Sequence, residues 1–350
     1  MTQPRRLMIL RPGEARCGGQ AVRPTRTDRP LPIELNALPQ NGATVAPAYR
    51  LTFRIDSSGR PLSINDPLSA QPDVYIPANT RDLVPAFSAW RFEPGQPRRD
   101  CELMFNREIL AVDAAPVAEL HRLFILGQPS VAFRSQARSR VVPAGSTCFD
   151  PSPGVRRRVY PAFDEIPQAP GTAAYSVIAY DIDADGTPIN VRLQESGGNA
   201  ELDRQGVDAI RRSRFAPGAR QGCNHPFWVR SDEPLAAPAP PDLARYRSAA
   251  ATCPAEGAQW AQAPRLEFPP EFERRGVEGW AMVRFDVAPW GQTGNVEVLA
   301  AEPAARFGTQ ALAIAQTARA VPSTAGLTGC VHRITFRVAG EGDRQGGTAD

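Results

Sequence analysis

A short stretch of alternating carboxylates, YDIDADG at residues 180–186, has the residue types of a calcium-binding loop. An EF-hand loop begins with such alternating oxygen ligands followed by glycine, and here they are Asp181, Asp183, Asp185 and Gly186. The loop also needs a bidentate glutamate at its position 12. Counted from Asp181, that position is Arg192, a cation where the metal requires a carboxylate. The sequence therefore excludes a complete EF-hand.

Two Cys-x-His pairs, at Cys223 and His225 and at Cys330 and His332, have side chains that bind transition metals. On a strand, residues two apart point to the same face, so each pair could act together. Each pair supplies only two ligands, however, and a cysteine in a disulfide cannot bind a metal. The first third of the chain has Leu103 at the matching position. We predict no metal site here and no cofactor.

The residues that commonly carry catalysis do not form a recognisable set in this sequence. The chain has three histidines and no H-E-x-x-H pattern, which argues against a metalloprotease of that type. It has neither a G-x-S-x-G elbow nor a phosphate-binding loop. Paired carboxylates carry little information, because 37 acidic residues always offer candidate pairs. We predict that the protein is not an enzyme. A hydrolase with no recognisable site remains an alternative.

Charge and hydropathy narrow the class of protein further. The chain has 350 residues, enough for two or three domains, and its net charge is only +3. All of its basic residues are arginine, and the near balance of charge argues against nucleic acid as a partner. No apolar run is long enough for a transmembrane segment. The apolar stretch after Arg6 is too short for the core of a signal peptide.

The YDIDADG stretch is one of three copies of a single pattern, with FRIDSSG at 53–59 and FDVAPWG at 285–291. Each copy has an aromatic residue, a β-branched residue two positions later, and a glycine four positions after that. This spacing, followed by further apolar alternation, predicts a β-hairpin in each copy. Because the alternating carboxylates occur in one copy only, we interpret Asp183 and Asp185 as turn residues that bond to their own backbone.

A helical pattern follows each hairpin, and a final strand follows each helix. The clearest helix is predicted over about residues 200–215. The helices end in related motifs, WRFEPG, SRFAPG and the degenerate ARAVPS. The predicted last strands are Glu102 to Asn106, Pro226 to Arg230 and Val331 to Val338. A further helical pattern runs from Pro116 to Leu126, within a segment (107–147) that the repeats do not assign to either neighbour.

The six cysteines follow the same repeat. Each copy has one cysteine about 40 residues before its hairpin glycine and one about 40 residues after it. Six cysteines allow 15 pairings, and the repeat symmetry selects Cys17–Cys101, Cys148–Cys223 and Cys253–Cys330. Stable disulfides indicate an oxidising compartment. Free cysteines would instead indicate a cytoplasmic protein, and this alternative remains open.

The order of hairpin, helix ending in Arg-Phe-x-Pro, and last strand resembles the TonB C-terminal domain. The third copy carries the fullest signature, FPPEFERRGVEGWAMVRFDV at 268–287. The second matches through AYDIDADGTPINVRLQESGG and AIRRSRFAPG, and the first through LTFRIDSSG and AWRFEPG. The resemblance implies an α+β fold of three tandem small domains. Each would be a three-stranded antiparallel sheet with one or two helices packed on one face.

The resemblance also implies a periplasmic protein-interaction role without catalytic residues. Domains of this family capture an extended segment of an outer-membrane transporter by adding it to their sheet. The sequence shows neither a membrane anchor nor a long proline-rich spacer. We therefore expect a periplasmic binder of a cell-envelope protein, either a transporter segment or a peptidoglycan-associated protein. An energy transducer whose anchor is missing from this sequence is the alternative.

We predict a degenerate first unit, a second unit, a short proline-rich linker, a third unit and a disordered tail (1–110, 111–233, 234–241, 242–340 and 341–350). Three tandem units suggest a multivalent binder. Partner binding is expected on the exposed edges of the last strands, at Trp228 and Arg230 in the second unit and Arg333, Thr335 and Arg337 in the third.

Overall fold

The computed structural model describes residues 5–35, 48–66, 81–149, 151–262 and 264–338. In these residues the chain is α+β, as predicted, and its sheets are antiparallel. Three parts of the chain each contain one principal sheet, and we keep the names first, second and third unit for them. The predicted tail, 341–350, lies outside the described residues. No helix in the described part of the chain is long and apolar enough to cross a membrane.

The first unit has a larger sheet than predicted. Its elements are β1 (Arg6–Pro12), β2 (Ala15–Cys17), β3 (Gln20–Val22), β4 (Pro24–Arg26), β5 (Ile33–Leu35), β6 (Ala48–Ile55), β7 (Pro61–Asn65), α1 (Leu83–Ser88), β8 (Arg91–Phe92) and β9 (Arg98–Ala111). The predicted three-stranded part is the β6–β7 hairpin with the last strand β9. The N-terminal strands extend this to seven, because β1 and β2 both pair with β9.

Two helices, α2 (Val117–Leu126) and α3 (Val131–Val141), connect the first and second units. They pack on β1, where Leu7 and Ile9 share a buried cluster with apolar residues of both helices. The end of α2 also packs on the second unit, where Leu126 meets Tyr175 and Val177. The segment that the sequence left unassigned therefore belongs to both neighbours.

The second unit has β10 (Val155–Arg157), β11 (Ala173–Ile182), β12 (Pro188–Ser196), α4 (Ala200–Arg212), β13 (Arg214–Phe215) and β14 (Arg220–Arg230). Its sheet has the order β12–β11–β14. The side chain of Asn199 caps α4 by accepting from the N–H of Leu202. The buried residues of α4 pack on the face of β11 that carries Ile178. We call this the inner face. The opposite, outer face is covered by α2, whereas the sequence predicted helices on one face only.

The third unit repeats this order with β15 (Trp260–Gln262), α5 (Pro270–Glu273), β16 (Gly279–Val287), β17 (Thr293–Glu302), α6 (Ala305–Thr317), β18 (Arg319–Ala320) and β19 (Leu327–Phe336). The sheet order is β17–β16–β19, and α6 packs on its inner face. On the outer face, Trp280 donates its indole N–H to the carbonyl of Pro238 at 2.7 Å. The predicted linker is thus docked on the third unit.

The hairpin turns use the carboxylate as predicted, but only one of the two aspartates. Asp183 accepts from the backbone N–H groups of Asp185 (3.0 Å) and Thr187 (2.8 Å). Asp185 contributes its backbone rather than its carboxylate. Asp56 makes the same contacts in the first unit, with Ser58 and Arg60.

The glycine of each hairpin is required by a close backbone approach. Gly59, Gly186 and Gly291 have φ of 83°, 89° and 88°. A Cβ at each would lie 2.1–2.2 Å from a carbonyl oxygen of the short strand after the helix. The same glycine carbonyl accepts from the N–H on that strand, at 2.8–2.9 Å in all three units. Any side chain would break this contact, which explains why the glycine recurs.

The structure contains three disulfides, Cys17–Cys101, Cys148–Cys223 and Cys253–Cys330, the pairs that the repeat symmetry selects. Each joins the segment before the hairpin of a unit to the start of the last strand of that unit, across 75 to 84 residues. In the chain-entropy model, a crosslink of this span stabilises the folded chain by about 4 kcal/mol. The bridges favour an oxidising compartment.

The first and third units share one hydrophobic core. At their boundary the N–H of Ile64 donates to the carbonyl of Pro303 at 2.9 Å. The buried carboxylate of Glu302 accepts from Ser63 and from the guanidinium of Arg54 (2.7 Å). A buried carboxylate needs such partners, because desolvation would otherwise disfavour its charge. The two units are therefore joined through polar contacts as well as a common core.

Candidate functional site

The candidate site is the free edge of the last strand, and the three units can be compared there residue by residue. The second cysteine of each unit pairs with the aromatic residue of its hairpin: Cys101 with Phe53, Cys223 with Tyr180, and Cys330 with Phe285. From this common register, Met104, Pro226 and Arg333 occupy the same position, three residues beyond the cysteine. The edge of β9, β14 or β19 is thus the same structural feature in each unit.

In the first unit this edge is occupied by the chain's own N-terminal segment. Strand β1 pairs antiparallel with β9 from Phe105 to Ala111, and β2 pairs with it at Cys101 and Glu102. Between the two, the N–H of Gly13 donates to the carbonyl of Met104 at 2.8 Å. The backbone at Met104 therefore points away from the hairpin and towards the N-terminal segment.

In the second unit, β14 has β11 as its sole strand neighbour among the described residues. Their pairing runs without a register shift from Ala174–Val229 to Tyr180–Cys223. Within it lies Pro226, opposite Val177. A proline has no N–H to donate and is tolerated in a sheet where its nitrogen faces away from the neighbouring strand. The edge of β14 consequently lacks one donor.

In the third unit, β19 likewise pairs only with β16 within the described ranges. Their pairing is unbroken from Gly279–Phe336 to Phe285–Cys330. At the start of the strand, the N–H groups of Thr252 and Cys253 donate to the carbonyl of Thr328. From Cys330 to Phe336 no described strand covers the edge, and this stretch contains no proline.

The five residues predicted to bind a partner have different surroundings. Trp228 is half exposed, and the guanidinium of Arg230 lies 5.5 Å from the centre of its ring. Arg230 also donates to the carbonyls of Leu126 (3.1 Å) and Arg274 (3.2 Å). Burial lowers the pKa of Arg230, and the nearby Arg275 adds to this. Arg230 therefore holds the second unit to its neighbours, a role that the sequence did not predict.

The third-unit residues are less engaged. Arg333 is exposed, Thr335 is half-buried, and Arg337 is exposed just beyond the end of β19. Neither arginine forms an ion pair with a residue that the structure describes. These side chains alternate on the outer face next to the free edge, so a strand added there would meet positive charge.

The two histidines of the Cys-x-His pairs pack on aromatic rings. His225 lies 4.9 Å from Phe227, and His332 lies 6.0 Å from Trp260, measured between ring centres. Burial lowers the pKa of His225 to about 4, with a smaller effect from the charge of Arg158. The neighbouring cysteines are in disulfides, so they are not metal ligands.

A buried arginine that the sequence did not single out joins all three units. Arg275 forms ion pairs at 2.5 Å with Asp28 and Asp82 of the first unit and donates to the carbonyl of Gly171 in the second (3.3 Å). Burial alone would lower its pKa, but Asp82 and Asp28 outweigh this, so the pKa of Arg275 is raised. The ERRG motif around it was the available signal, but it does not identify partners from other units.

A second buried cluster fixes α2 to the second unit. His121 on α2 lies 2.9 Å from the carboxylate of Glu195 on β12. The hydroxyl of Tyr175 bonds to the same carboxylate and to the carbonyl of Ala118 at 3.2 Å. Burial raises the pKa of Tyr175, and its bond to Glu195 raises it further. These residues are enclosed between α2 and the sheet, so the cluster is a packing contact.

Two segments of the chain match a known protein family. Residues 159–231 and 264–338 each match the family model described as Gram-negative bacterial TonB protein C-terminal. The matches cover the sheets of the second and third units. The first unit lies outside them and is related to the other two here by its hairpin register, its glycine contact and its disulfide. No curated protein matches the chain.

Proposed function

Because residues 159–231 and 264–338 belong to the TonB C-terminal domain family, we propose that this protein is a non-catalytic binder of a cell-envelope protein. The partner would be held in the periplasm by adding an extended segment to the edge of a last strand. One observation carries this proposal. On one side, β14 pairs with β11 and β19 pairs with β16 without a break, and on the other side neither β14 nor β19 has a described strand as its neighbour.

The other edge of each sheet is less suited to strand addition. The pairing of β12 with β11 shifts register twice, and so does that of β17 with β16. Such bulges twist an edge and interrupt its row of backbone groups. β14 and β19 have no shift over the stretches given above, and β19, which has no proline there, offers the longer regular row of donors and acceptors.

The three disulfides and the family membership support a periplasmic location. The fold supports a binder of defined geometry, because Arg275 and the shared core of the first and third units hold the units against one another. A partner would therefore meet preformed edges, which lowers the conformational cost of binding.

Site-specific photo-crosslinking tests the proposal. A benzophenone amino acid would replace Thr335, beside the edge of β19, in the full-length chain, and the protein would be exposed to a Gram-negative envelope extract. We expect adducts with a small set of envelope proteins, identified by mass spectrometry. The matched control places the same group at Trp290, which is 70% exposed on the hairpin turn between β16 and β17. Equal labelling from both positions, or none from either, would contradict the proposal.

A further inference from the structure

We propose that, among the residues that the structure describes, only the third unit offers an open last-strand edge, and that this edge takes an extended acidic segment of another protein. This inference rests on the proposed function and identifies which of the three related edges performs it. Met104, Pro226 and Arg333 occupy the same position in their last strands, and the backbone at this position faces away from the hairpin. The residue found there, and what already contacts it, therefore decides whether a further strand can pair with each unit.

The first unit shows both the direction of this backbone and a closed state of the edge. An antiparallel residue directs its N–H and C=O to the same side of the strand. The carbonyl of Met104 accepts from Gly13 of the N-terminal segment, so the N–H of Met104 faces that side too. With β1 and β2 paired along β9, no row of free backbone groups remains for a partner.

The second unit is closed by a different means. Pro226 occupies the outward-facing position, where a strand approaching β14 would find a ring in place of a donor. Proline on an edge strand is a common way to prevent further pairing. Arg230, four residues on, is held by the carbonyls of Leu126 and Arg274, which fixes the end of the strand against its neighbours.

The third unit has neither obstacle. Arg333 has a backbone N–H where Pro226 has none, and the strand residues on either side of it are free of proline. The short 3-10 turn at Leu243–Tyr246 contacts β19, yet Arg333 and Arg337 remain exposed. From Cys330 to Phe336, the outward backbone of β19 is therefore the last-strand edge that has neither a described strand partner nor a proline.

The charge of β19 identifies the kind of segment that fits. Arg333 and Arg337 lie on one face of the chain and lack acidic partners in the described ranges. A strand with glutamate or aspartate at alternate positions would place carboxylates beside them, and opposite charges across a strand pair are favourable. A second copy of β19 would bring arginines near arginines, which argues against this edge as a dimer contact.

The test uses the full-length chain and a labelled peptide of about ten residues in which valine and glutamate alternate. Titration calorimetry of the unchanged protein should give one peptide per chain. Arg333→Pro should weaken binding at least about tenfold, through the lost hydrogen bond and the clash of the ring. Arg333→Ala, which keeps the N–H and removes the charge, should weaken it less. Pro226→Arg should raise the stoichiometry to two.

Two controls make the result specific. A peptide with lysine in place of glutamate should bind more weakly to the unchanged protein, and one with alternate backbone nitrogens methylated should not bind. The folding of Arg333→Pro is checked by disulfide mapping and thermal unfolding. The second unit carries proline at this position, so the substitution suits the strand.

Each outcome bears on the proposal. Unchanged affinity in Arg333→Pro, or a failure of the unchanged protein to bind the acidic peptide, would overturn the assignment to β19. A stoichiometry of one in Pro226→Arg would overturn the role of Pro226. Dimers abolished by Arg333→Pro would identify a second copy as the occupant instead. Peptide binding as expected, without envelope adducts at Thr335, would refute the proposed function alone.

Discussion

In each unit an aromatic ring stacks on the aromatic residue of the hairpin, and in the third unit that ring is Trp260. The other two units take the ring from the short strand after the helix. In the first two units, Phe92 and Phe215 stack on the hairpin aromatic, with ring centres 5.8 and 5.5 Å apart. The third unit has Ala320 at that position, and Trp260 of β15 stacks on Phe285 at 5.7 Å instead. Val155 of the second unit occupies the position of Trp260, since Val155 pairs with Phe215 and Trp260 pairs with Ala320.

This exchange of large and small residues predicts a strong coupling between Trp260 and Ala320. Trp260→Val should remove about 100 Å² of buried apolar surface and destabilise the third unit by about 2.5 kcal/mol. Ala320→Phe alone should also destabilise, by about 1–3 kcal/mol, because Trp260 already fills the site. The double variant reproduces the arrangement of Val155 and Phe215. The double variant should therefore recover much of the lost unfolding free energy. Its loss should be smaller than the sum of the two single losses by at least about 2 kcal/mol.

Hydrogen exchange followed by mass spectrometry is the suitable assay. The chain has several units with more than one hydrophobic core, so a single two-state unfolding transition is not expected for the whole chain. Exchange in peptides from β16 and β19 reports the opening free energy of the third sheet itself. Peptides from β11 serve as the internal control and should not change. Single-variant losses that simply add in the double variant would refute the reasoning.

Three further predictions concern positions outside this site. Gly186→Ala should destabilise the second unit by several kcal/mol, since its Cβ would lie 2.2 Å from the carbonyl oxygen of Phe215. Hydrogen exchange in peptides from β11 measures this loss. Gly198→Ala, which has open space around its Cβ but also a positive φ, controls for backbone strain. Arg275→Met should destabilise the chain by about 3–5 kcal/mol, because two buried carboxylates lose their partner. The variant should also be cleaved more readily by proteases between the units. A protease-resistant variant of unchanged stability would contradict this prediction. Burial lowers the pKa of His225 to about 4, so between about pH 6.5 and 4 the unfolded chain binds a proton that the folded chain does not. The free energy of unfolding should therefore fall with acidification, by at most about 3 kcal/mol. His225→Gln should flatten this dependence, and an unaltered pH profile in this variant would show that His225 is not responsible.

The repeat could be predicted from sequence because its signals are local. A glycine seven residues into each hairpin pattern, the helix spacing and the matched cysteines all lie within one unit. The three disulfide pairs follow from that symmetry, and the structure contains them. A glycine suits the positive φ of this turn, but the more demanding reason for it, the approach of the strand after the helix, depends on a tertiary contact.

The larger first sheet could not be predicted in the same way. The apolar run from Leu7 to Leu10 has the residue types of a short signal-peptide core, and its periodicity is not that of a half-exposed strand. The structure shows why: Leu7 and Ile9 face the helices while Met8 and Leu10 face the main core, so both sides of β1 are buried. A run buried on both sides carries no alternation from which a strand and its partner can be inferred.

The predicted binding residues illustrate the same limit at the site. Arg230 lies four residues beyond Pro226, and Arg337 lies four residues beyond Arg333, at the equivalent position of the third unit. Both are arginines, so the sequence alone predicts the same role for the two. Only the structure separates them, because Arg230 donates to carbonyls of α2 and the third unit, whereas Arg337 stays exposed. Equivalent residues in a tandem array can thus differ in role through their neighbours alone.

Closing two of the three edges also protects a chain of tandem units from aggregation. A chain with three open edges would expose three templates for pairing with other chains, a known route to aggregation. Pairing β9 with β1 and placing Pro226 in β14 remove two of them while leaving each hairpin, helix and disulfide in place. The closed units then serve as structural supports, and Arg275 and the shared core hold the third unit to them. On this account, specificity for one partner comes from closing the alternative edges as much as from Arg333 and Arg337.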